Sequence, residues 1–340
     1  MNAPLMRADK LGRRFSSHGL LRRGAGVQAV ADFNLSIERG DIVGLVGESG
    51  SGKSTIGRLL LGLIPPSAGR ICFDGEDLAR VSSAQRRRLR KKMQLVFQDP
   101  YSSLDPRRAV GRQIADGVII HDLLPWDQIP TRVDALLRQV GLDPNCAGRY
   151  PHEFSGGQRQ RVALARALAT EPTFLVADEP VSALDVSVQA QVLTLFADLR
   201  RSLGLAILFI SHDLGAVRHL CDRVVVLYLG RVMEEGPVEA LFSRPAHPYT
   251  AALMSAVPSL DVAHRRNRIM LQGDPPSPLD PPSGCVFRTR CPFAIAACAT
   301  DAPRLTSVDG NAHRAACIRV GASATQRIDD ELRRSAIGDA

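Results

Sequence analysis

Residues 42–55 read IVGLVGESGSGKST, and this stretch decides the fold. Five residues of strand character, 42–46, run directly into a glycine-rich loop that ends in GKST, and the helical pattern IGRLLLGLI follows. Glycines let such a loop curl until successive N–H groups point at phosphate oxygens, and the helix behind it adds its positive N-terminal end. The pattern G-x-x-x-x-G-K-[ST] between a strand and a helix therefore predicts a phosphate-binding site.

Individual residues of this loop have distinct expected roles. Lys53 is expected to reach the β and γ phosphates of ATP, and the Ser54 hydroxyl is expected to complete the coordination shell of Mg²⁺. The other loop residues that we expect to contact the nucleotide are Gly47, Ser49, Gly50, Ser51, Gly52 and Thr55.

Outside the loop, short apolar runs alternate with longer helical patterns. Further strands are predicted at 93–97, 174–177, 206–210 and 224–228. Near-continuous apolar strands suit a sheet that helices bury on both faces, so we expect an α/β fold with a largely parallel sheet. Residues from about 100 to 170 show helical patterns and no convincing strand, which predicts a helical subdomain inserted in the core.

Composition and charge narrow the class of protein. The chain has 340 residues, 45% of them hydrophobic and 23% charged, which favours one large folded domain plus an appendage and excludes wholesale disorder. No apolar run approaches the roughly 20 residues of a membrane-spanning helix, and the N-terminus does not resemble a secretory signal, so we expect a cytosolic protein. The net charge of +8 permits anionic partners without selecting one.

A carboxylate pair supplies the groups that hydrolysis requires. The run FLVADEP predicts a buried strand that ends in Asp178 and Glu179. Asp178 is expected to hold Mg²⁺ through water, and Glu179 to take the proton of the attacking water. Such a pair is a weak signal alone, but the phosphate loop upstream makes it a strong one.

A second helix start is suited to binding an anion. In FSGGQRQRVALARAL, Ser155 is expected to cap a helix whose buried face includes Val162 and Leu164. An ordinary capped helix is the simpler interpretation. A second phosphate-binding helix start in a chain with one phosphate loop nevertheless indicates that two chains share each nucleotide.

In this order, the motifs resemble those of ABC transporter ATP-binding subunits over residues from about 10 to 320. The resemblance implies an ABC-type P-loop fold, with a Walker A loop at 47–55 and a Walker B pair at 178–179. It implies a Q-loop glutamine, Gln98, that ligates Mg²⁺ and acts in catalysis, and a switch histidine, His212, at the γ-phosphate. The other implied contacts are Phe15 on adenine, the signature residues Ser155, Gly156, Gly157 and Gln158, and Asp185 of the D-loop on the dimer seam.

The C-terminal part resembles one branch of this family. The runs RPAHPYTAALMSAVPSL at 244–260 and GDPPSPLDPPSGCVFRTRCPF at 273–293 resemble the extension of oligopeptide and dipeptide importers. We therefore divide the chain into a nucleotide-binding domain, 1–245, and a small Cys-rich extension, 246–340. Importers of nickel, glutathione and other small solutes have much the same sequence motifs, so the peptide substrate is implied by resemblance alone.

The resemblance also implies partners and a location. They are a second ATPase subunit, expected to be a paralogue, two transmembrane permease subunits, and, indirectly, an extracytoplasmic solute-binding protein. The chain would then lie on the cytoplasmic face of the membrane. A soluble ABC ATPase acting on nucleic acid is the rival interpretation, attractive because of the basic run at 85–93. The importer-like extension and the absence of a long heptad arm argue against a nucleic-acid partner.

Four of the seven cysteines fall within 33 residues: Cys285, Cys291, Cys298 and Cys317. Clustered thiols in a cytosolic chain indicate a metal site before disulfides. Their spacings of five, six and eighteen intervening residues match neither a zinc knuckle nor a ferredoxin run. Resemblance to importer subunits that carry clusters favours 4Fe-4S, with zinc and simply reduced thiols as alternatives.

Overall fold

The structure, a computed structural model, describes residues 3–16, 26–99, 103–257, 269–271, 273–308, 310 and 312–320. Segments 258–268 and 321–340, which the sequence analysis assigns to the C-terminal extension, lie outside the described residues. Residues 100–102, within the predicted helical subdomain, also lie outside them.

The strands, numbered along the chain, are β1 (Met6–Ser16), β2 (Gly26–Ile37), β3 (Ile42–Val46), β4 (Ala68–Phe73), β5 (Glu76–Asp77), β6 (Met93–Val96), β7 (Phe174–Asp178), β8 (Ala206–Ile210), β9 (Arg223–Tyr228), β10 (Arg231–Pro237), β11 (Thr306–Ser307) and β12 (Arg314–Ala315). The α-helices are α1 (Lys53–Leu60), α2 (Ser83–Lys92), α3 (Val110–Ile120), α4 (Ile129–Gln139), α5 (Gly156–Leu168), α6 (Val186–Leu203), α7 (Leu214–Leu220), α8 (Val238–Ser243) and α9 (Pro248–Ser255).

A parallel sheet forms the centre of the molecule. Its strands lie in the order β9-β3-β8-β7-β6 and pair in parallel. Every residue of β3, β7 and β8 is buried, as expected for strands covered on both faces. The five predicted strands are confirmed, and their carboxyl ends meet at one edge of the sheet.

Antiparallel strands extend this sheet and form a second one, so the sheets are mixed. Strands β10, β12 and β11 continue the central sheet beyond β9, and β2-β1-β4-β5 forms a separate antiparallel sheet. The second sheet was missed because its strands are half-buried. In the second half of β2, the buried residues Phe33, Leu35 and Ile37 alternate with exposed residues. Such a strand has no continuous apolar run.

Helices occupy the interval between β6 and β7. In the described part of residues 100–170, helices α3, α4 and α5 alternate with short 3₁₀ turns, and no strand is found. The apolar side chains that these helices share include Ile114, Leu136, Leu137 and Val162, all fully buried. These side chains belong to the same buried cluster as Ile42 and Leu175 of the central sheet, so the helices pack onto one face of the core.

The C-terminal residues are held to the central sheet by a buried carboxylate. Glu234 on β10 is fully buried, and its oxygens accept hydrogen bonds from the backbone N–H groups of Ala246 and His247, both at 2.8 Å. The His313 ring lies 2.6 Å from the same carboxylate, and β12 pairs with β10 beside it. Residues 312–315 are thus integrated into the main sheet. Among the described residues, no helix is both long and apolar enough to span a bilayer.

Candidate nucleotide-binding and hydrolysis site

The phosphate loop lies between β3 and α1, at the carboxyl edge of the central sheet. Gly47 has φ 150°, and a Cβ there would lie 2.2 Å from the carbonyl oxygen of Leu227, so only glycine fits. Lys53 Nζ donates to the carbonyl oxygens of Gly47 and Glu48 at 2.8 and 2.9 Å. The loop therefore has the curled form that presents N–H groups to an anion.

The ammonium of Lys53 is almost fully buried. Burial lowers the pKa of Lys53, while the nearby carboxylates of Glu179, Asp178 and Glu48 counter that effect. A buried cation is costly unless anions surround it. Phosphate groups beside Lys53 would supply more negative charge and stabilise its protonated form.

Ser54 and Asp178 meet across the loop. The Ser54 hydroxyl donates to Asp178 Oδ1 at 3.0 Å, and Asp178 ends the buried strand β7. Burial raises the pKa of Asp178, the hydrogen bond from Ser54 lowers it, and the neighbouring Glu179 raises it further. A hydroxyl and a carboxylate on one side of a phosphate loop are the ligand types that Mg²⁺ takes in nucleotide sites.

Two side chains converge on one oxygen of the Glu179 carboxylate. Gln98 Nε2 donates to Glu179 Oε2 at 2.9 Å, and His212 Nδ1 lies 3.1 Å from the same oxygen. Glu179 itself has φ 48°, in the left-handed region that non-glycine residues rarely adopt. The backbone N–H of Glu179 donates to the carbonyl of Ile210 at 2.9 Å, which helps to hold this conformation.

These residues share one open cavity of about 650 Å³. The predicted residues that line it are Ser49, Gly50, Gly52, Lys53, Ser54, Thr55, Gln98, Glu179 and His212. Lining residues that the sequence analysis did not identify come from β2, from the turn after β9 and from the proline-rich segment, and they are Val27, Gln28, Ala29, Leu229, Gly230 and Pro278. No local motif marks these six positions, because they reach the cavity only through the fold.

Phe15 lies at the border of this cavity and not among its lining residues. Its ring is exposed, and the Arg13 guanidinium sits 4.6 Å from the ring centroid. Phe15 pairs across β1 and β2 with Val27, which does line the cavity. The aromatic predicted to contact adenine is therefore one strand away from the phosphate loop's cavity.

The signature residues are not brought to the cavity of their own chain. Ser155 caps α5 as predicted: Gln158 N–H donates to its hydroxyl at 3.3 Å, and Ser155 N–H donates to Gln158 Oε1 at 3.0 Å. A Cβ on Gly157 would lie 2.3 Å from Val188 Cγ1, so α5 begins in close contact with α6. Asp185 caps α6 without a side-chain hydrogen bond to that helix and is exposed.

The four clustered cysteines line one small apolar cavity, together with His247 and Phe287. All four are free thiols, and burial raises the pKa of Cys285, of Cys317, and of Cys291 to about 12. Within the part of the chain that the structure describes, no group of three or more His, Cys, Asp or Glu side chains is arranged to hold a metal ion.

Two C-terminal residues that sequence reasoning missed contact the phosphate loop. The backbone N–H of Glu48 donates to the Tyr249 hydroxyl at 2.9 Å, and Arg290 Nη1 donates to Glu48 Oε2 at 2.7 Å. The runs at 244–260 and 273–293 marked Tyr249 and Arg290 only as parts of the extension.

Comparison with known proteins places these features in a family. The family model for ABC transporters matches residues 30–182, and the model for the oligopeptide/dipeptide transporter C-terminal region matches residues 233–298. A putative peptide import ATP-binding protein of Brucella ovis is 53% identical over 316 residues, which cover 93% of this chain and 98% of that protein. The di/tripeptide transport ATP-binding protein DppF of Pseudomonas aeruginosa is 46% identical over 90% of this chain and 95% of its own length.

Solved structures agree with the sequence relatives. The ATP-binding cassette MJ0796, as a dimer bound to ADP and Pi, is 26% identical with a TM-score of 0.62, covering 68% of this chain and 98% of that one. The cbiO1 protein of Clostridium perfringens is 31% identical with a TM-score of 0.63, covering 71% and 92%. The chain is therefore an ATPase of the ABC transporter ATP-binding protein family, and it carries the C-terminal region of the oligopeptide/dipeptide transporters.

Proposed function

We propose that this chain hydrolyses ATP to energise a binding-protein-dependent importer of di- and oligopeptides. The observation that carries the hydrolytic part is the convergence of Gln98 and His212 on Glu179, beside the buried Lys53 of the phosphate loop. The substrate class is supported by relatives that are called peptide import and di/tripeptide transport proteins, and by the C-terminal region at 233–298.

In the proposed mechanism, residues of the cavity divide the work of hydrolysis. Lys53 would contact the β and γ phosphates, while Ser54, Gln98 and, through water, Asp178 would hold Mg²⁺. When bound, Mg²⁺ neutralises charge that develops on the phosphates. Glu179 accepts the proton of the attacking water, and its left-handed backbone aims the carboxylate into the cavity.

His212 has two contacts in this mechanism, one with Glu179 and one with the γ-phosphate. Its ring contacts Glu179 Oε2 at 3.1 Å. In the loaded site we propose that it also contacts the γ-phosphate. Phe15 would stack on adenine, since it borders the cavity at the side of Val27.

We further propose that two ATPase subunits share each nucleotide. Ser155 and Gln158 are exposed at the start of α5 and lie outside the cavity of their own chain. Val186, directly after Asp185, leaves 82% of its surface exposed, so it is accessible to a second subunit. The partner subunit would be a paralogue of this chain.

The remaining partners follow from the importer proposal. Two membrane permeases would bind the paired ATPases at the cytoplasmic face of the membrane, and an extracytoplasmic solute-binding protein would deliver the peptide. The nucleotide-binding domain would be residues 1–245, with its helical subdomain at about 100–170, and the Cys-rich extension would be 246–340. No role for nucleic acid is needed.

We also propose that the Cys-rich extension carries a 4Fe-4S cluster, with zinc as the alternative. The support is that four free thiols line one small cavity, and that four thiolates are a ligand set that an iron-sulfur cluster takes.

Reconstitution tests the proposed function. The full chain, assembled with its partner ATPase and permeases in liposomes, should show ATPase activity that a peptide-loaded binding protein stimulates. Stimulation by a binding protein loaded with nickel or glutathione instead would show that the importer takes that solute and not peptides. Stimulation by DNA or RNA, with none by any binding protein, would overturn the importer proposal.

A further inference from the structure

Glu48, the second residue of the phosphate loop, is held by the C-terminal part of the chain. Tyr249 and Arg290 lie 201 and 242 residues further along the chain. The Tyr249 hydroxyl accepts the backbone N–H of Glu48, and the Arg290 guanidinium binds the Glu48 carboxylate. The C-terminal part of the chain thus holds both the main chain and the side chain of Glu48.

The contact between Arg290 and Glu48 is a partly buried ion pair. The Arg290 side chain is only 8% exposed and that of Glu48 26% exposed. Arg290 Nη1 also reaches the Tyr228 hydroxyl at 3.4 Å, whereas its buried Nε has no hydrogen-bond partner among the described residues. A guanidinium with so little access to water needs its carboxylate, because removing one partner leaves a buried charge.

An aromatic cluster fixes the position of the Tyr249 hydroxyl. The rings of Tyr228, Tyr249 and Phe287 pack with centroids 4.8, 5.2 and 5.3 Å apart, and all three side chains are almost fully buried. Tyr228 ends β9, and Phe287 lies between two of the clustered cysteines, Cys285 and Cys291. The phosphate loop therefore rests on a rigid surface that both the sheet and the Cys-rich segment build.

The orientation of Glu48 determines the shape of the loop. The carbonyl oxygen of Glu48 accepts a hydrogen bond from Lys53 Nζ, and its N–H donates to the Tyr249 hydroxyl. The two peptide groups that flank Glu48 are therefore both held in one orientation. A loop that is already curled loses less conformational entropy when phosphate binds, and this raises affinity without changing the chemical step. Pro278 of the C-terminal part also lines the nucleotide cavity.

We propose that Tyr249 and Arg290 are positioning residues for ATP, which preorganise the phosphate loop through Glu48. This inference rests on the proposed role of the loop in binding phosphate. It assigns to the C-terminal region a direct effect on nucleotide affinity, in addition to any part in transport.

Two substitutions in the full chain test the inference. Tyr249→Phe removes only the hydroxyl that accepts the Glu48 N–H, and Arg290→Gln removes the charge. Each should raise the KM for ATP of the assembled transporter, and the Kd of the isolated subunit for Mg-ATP, about fivefold, since a net hydrogen bond has that effect. The kcat should stay within about twofold, because no group at the reacting phosphate changes.

A double-mutant cycle distinguishes positioning from loss of stability. Glu48→Gln with Arg290→Gln should bind ATP no more weakly than either single variant, because the two changes break one contact. Arg288→Gln is the matched control, because Arg288 lies two residues before Arg290 and its guanidinium binds Ser283 and not Glu48. The KM of this variant for ATP should not change.

The possible failures are separable. An unchanged KM in both Tyr249→Phe and Arg290→Gln would overturn the inference, as would a fall in kcat alone or a fivefold change in Arg288→Gln. Lys53→Ala tests the premise: it should weaken Mg-ATP binding by about tenfold or more through loss of a charged contact. Unchanged binding in Lys53→Ala would refute the proposed function of the loop itself.

Discussion

Glu179 combines an unfavourable backbone with three polar contacts, and this combination is typical of a reacting group. Its φ of 48° costs free energy that a non-glycine residue recovers only when its surroundings hold it there. Gln98 and His212 contact one oxygen of its carboxylate, and its N–H is bound to β8. These contacts hold the carboxylate in one orientation.

Glu179→Gln should abolish turnover and leave ATP binding intact. The amide keeps the shape of the side chain but cannot accept the proton of water, so kcat should fall by about 100- to 10,000-fold. A stable ATP-bound dimer should accumulate, which gel filtration with Mg-ATP would detect. Glu239→Gln, an exposed carboxylate on α8, is the control and should hydrolyse normally. Near-normal turnover in Glu179→Gln would rule out the base role.

At the scale of elements, helices α2 and α5 begin in the same way and differ in their expected role. Ser82 and Ser155 both cap through reciprocal hydrogen bonds with a glutamine three residues on, Gln85 and Gln158. Only α5 begins with two glycines, which leave its first N–H groups open to an anion. The cap alone does not mark a phosphate site, and our proposal of one at α5 rests on its glycines and on its position next to α6.

Ser155→Arg should leave Mg-ATP binding to the isolated subunit unchanged and block the ATP-dependent dimer. The long cation would occupy the space where the proposed partner's phosphate must lie. Ser82→Arg, at the equivalent cap of α2, should dimerise normally. Analytical ultracentrifugation with and without Mg-ATP measures both. Loss of ATP binding by the Ser155→Arg monomer would mean that α5 contacts phosphate within its own chain.

The pairing of β10 with β12 depends on the buried carboxylate of Glu234. Glu234→Gln would place an NH₂ group against the N–H of Ala246 or His247, so the free energy of unfolding should fall by about 3 kcal/mol. Chemical denaturation measures this change. Glu235→Gln, whose side chain pairs with Arg314 near the surface, should cost less than about 1 kcal/mol. Equal losses in the two variants would contradict the special role of Glu234.

At the scale of the whole molecule, the sequence predicts what is local and misses what the fold assembles. The phosphate loop and the pair at 178–179 are contiguous motifs whose chemistry depends on neighbouring residues, so they were identified without coordinates. The antiparallel sheet was missed because half-buried strands lack continuous apolar runs. The contacts of Tyr249 and Arg290 with Glu48 were missed because no local pattern links residues so distant in the chain.

The cluster that we propose for the Cys-rich segment is tested by colour and metal content. Protein purified without oxygen should be brown, with absorbance near about 400 nm and about four irons per chain, if the proposed cluster is present. Cys298→Ser should bleach it, whereas Cys72→Ser, which lies on β4 in the other sheet, should keep the colour. Colourless protein with one zinc per chain would establish the alternative, and metal-free protein would refute both.

The contacts of Tyr249 and Arg290 with Glu48 also have a consequence for folding during synthesis. The loop leaves the ribosome about 200 residues before Tyr249 and about 240 before Arg290. A nascent cassette can therefore fold its central sheet while its phosphate loop still lacks the groups that hold it curled. Until residue 290 has been added and has packed, the nascent cassette would therefore bind ATP about fivefold more weakly than the finished chain.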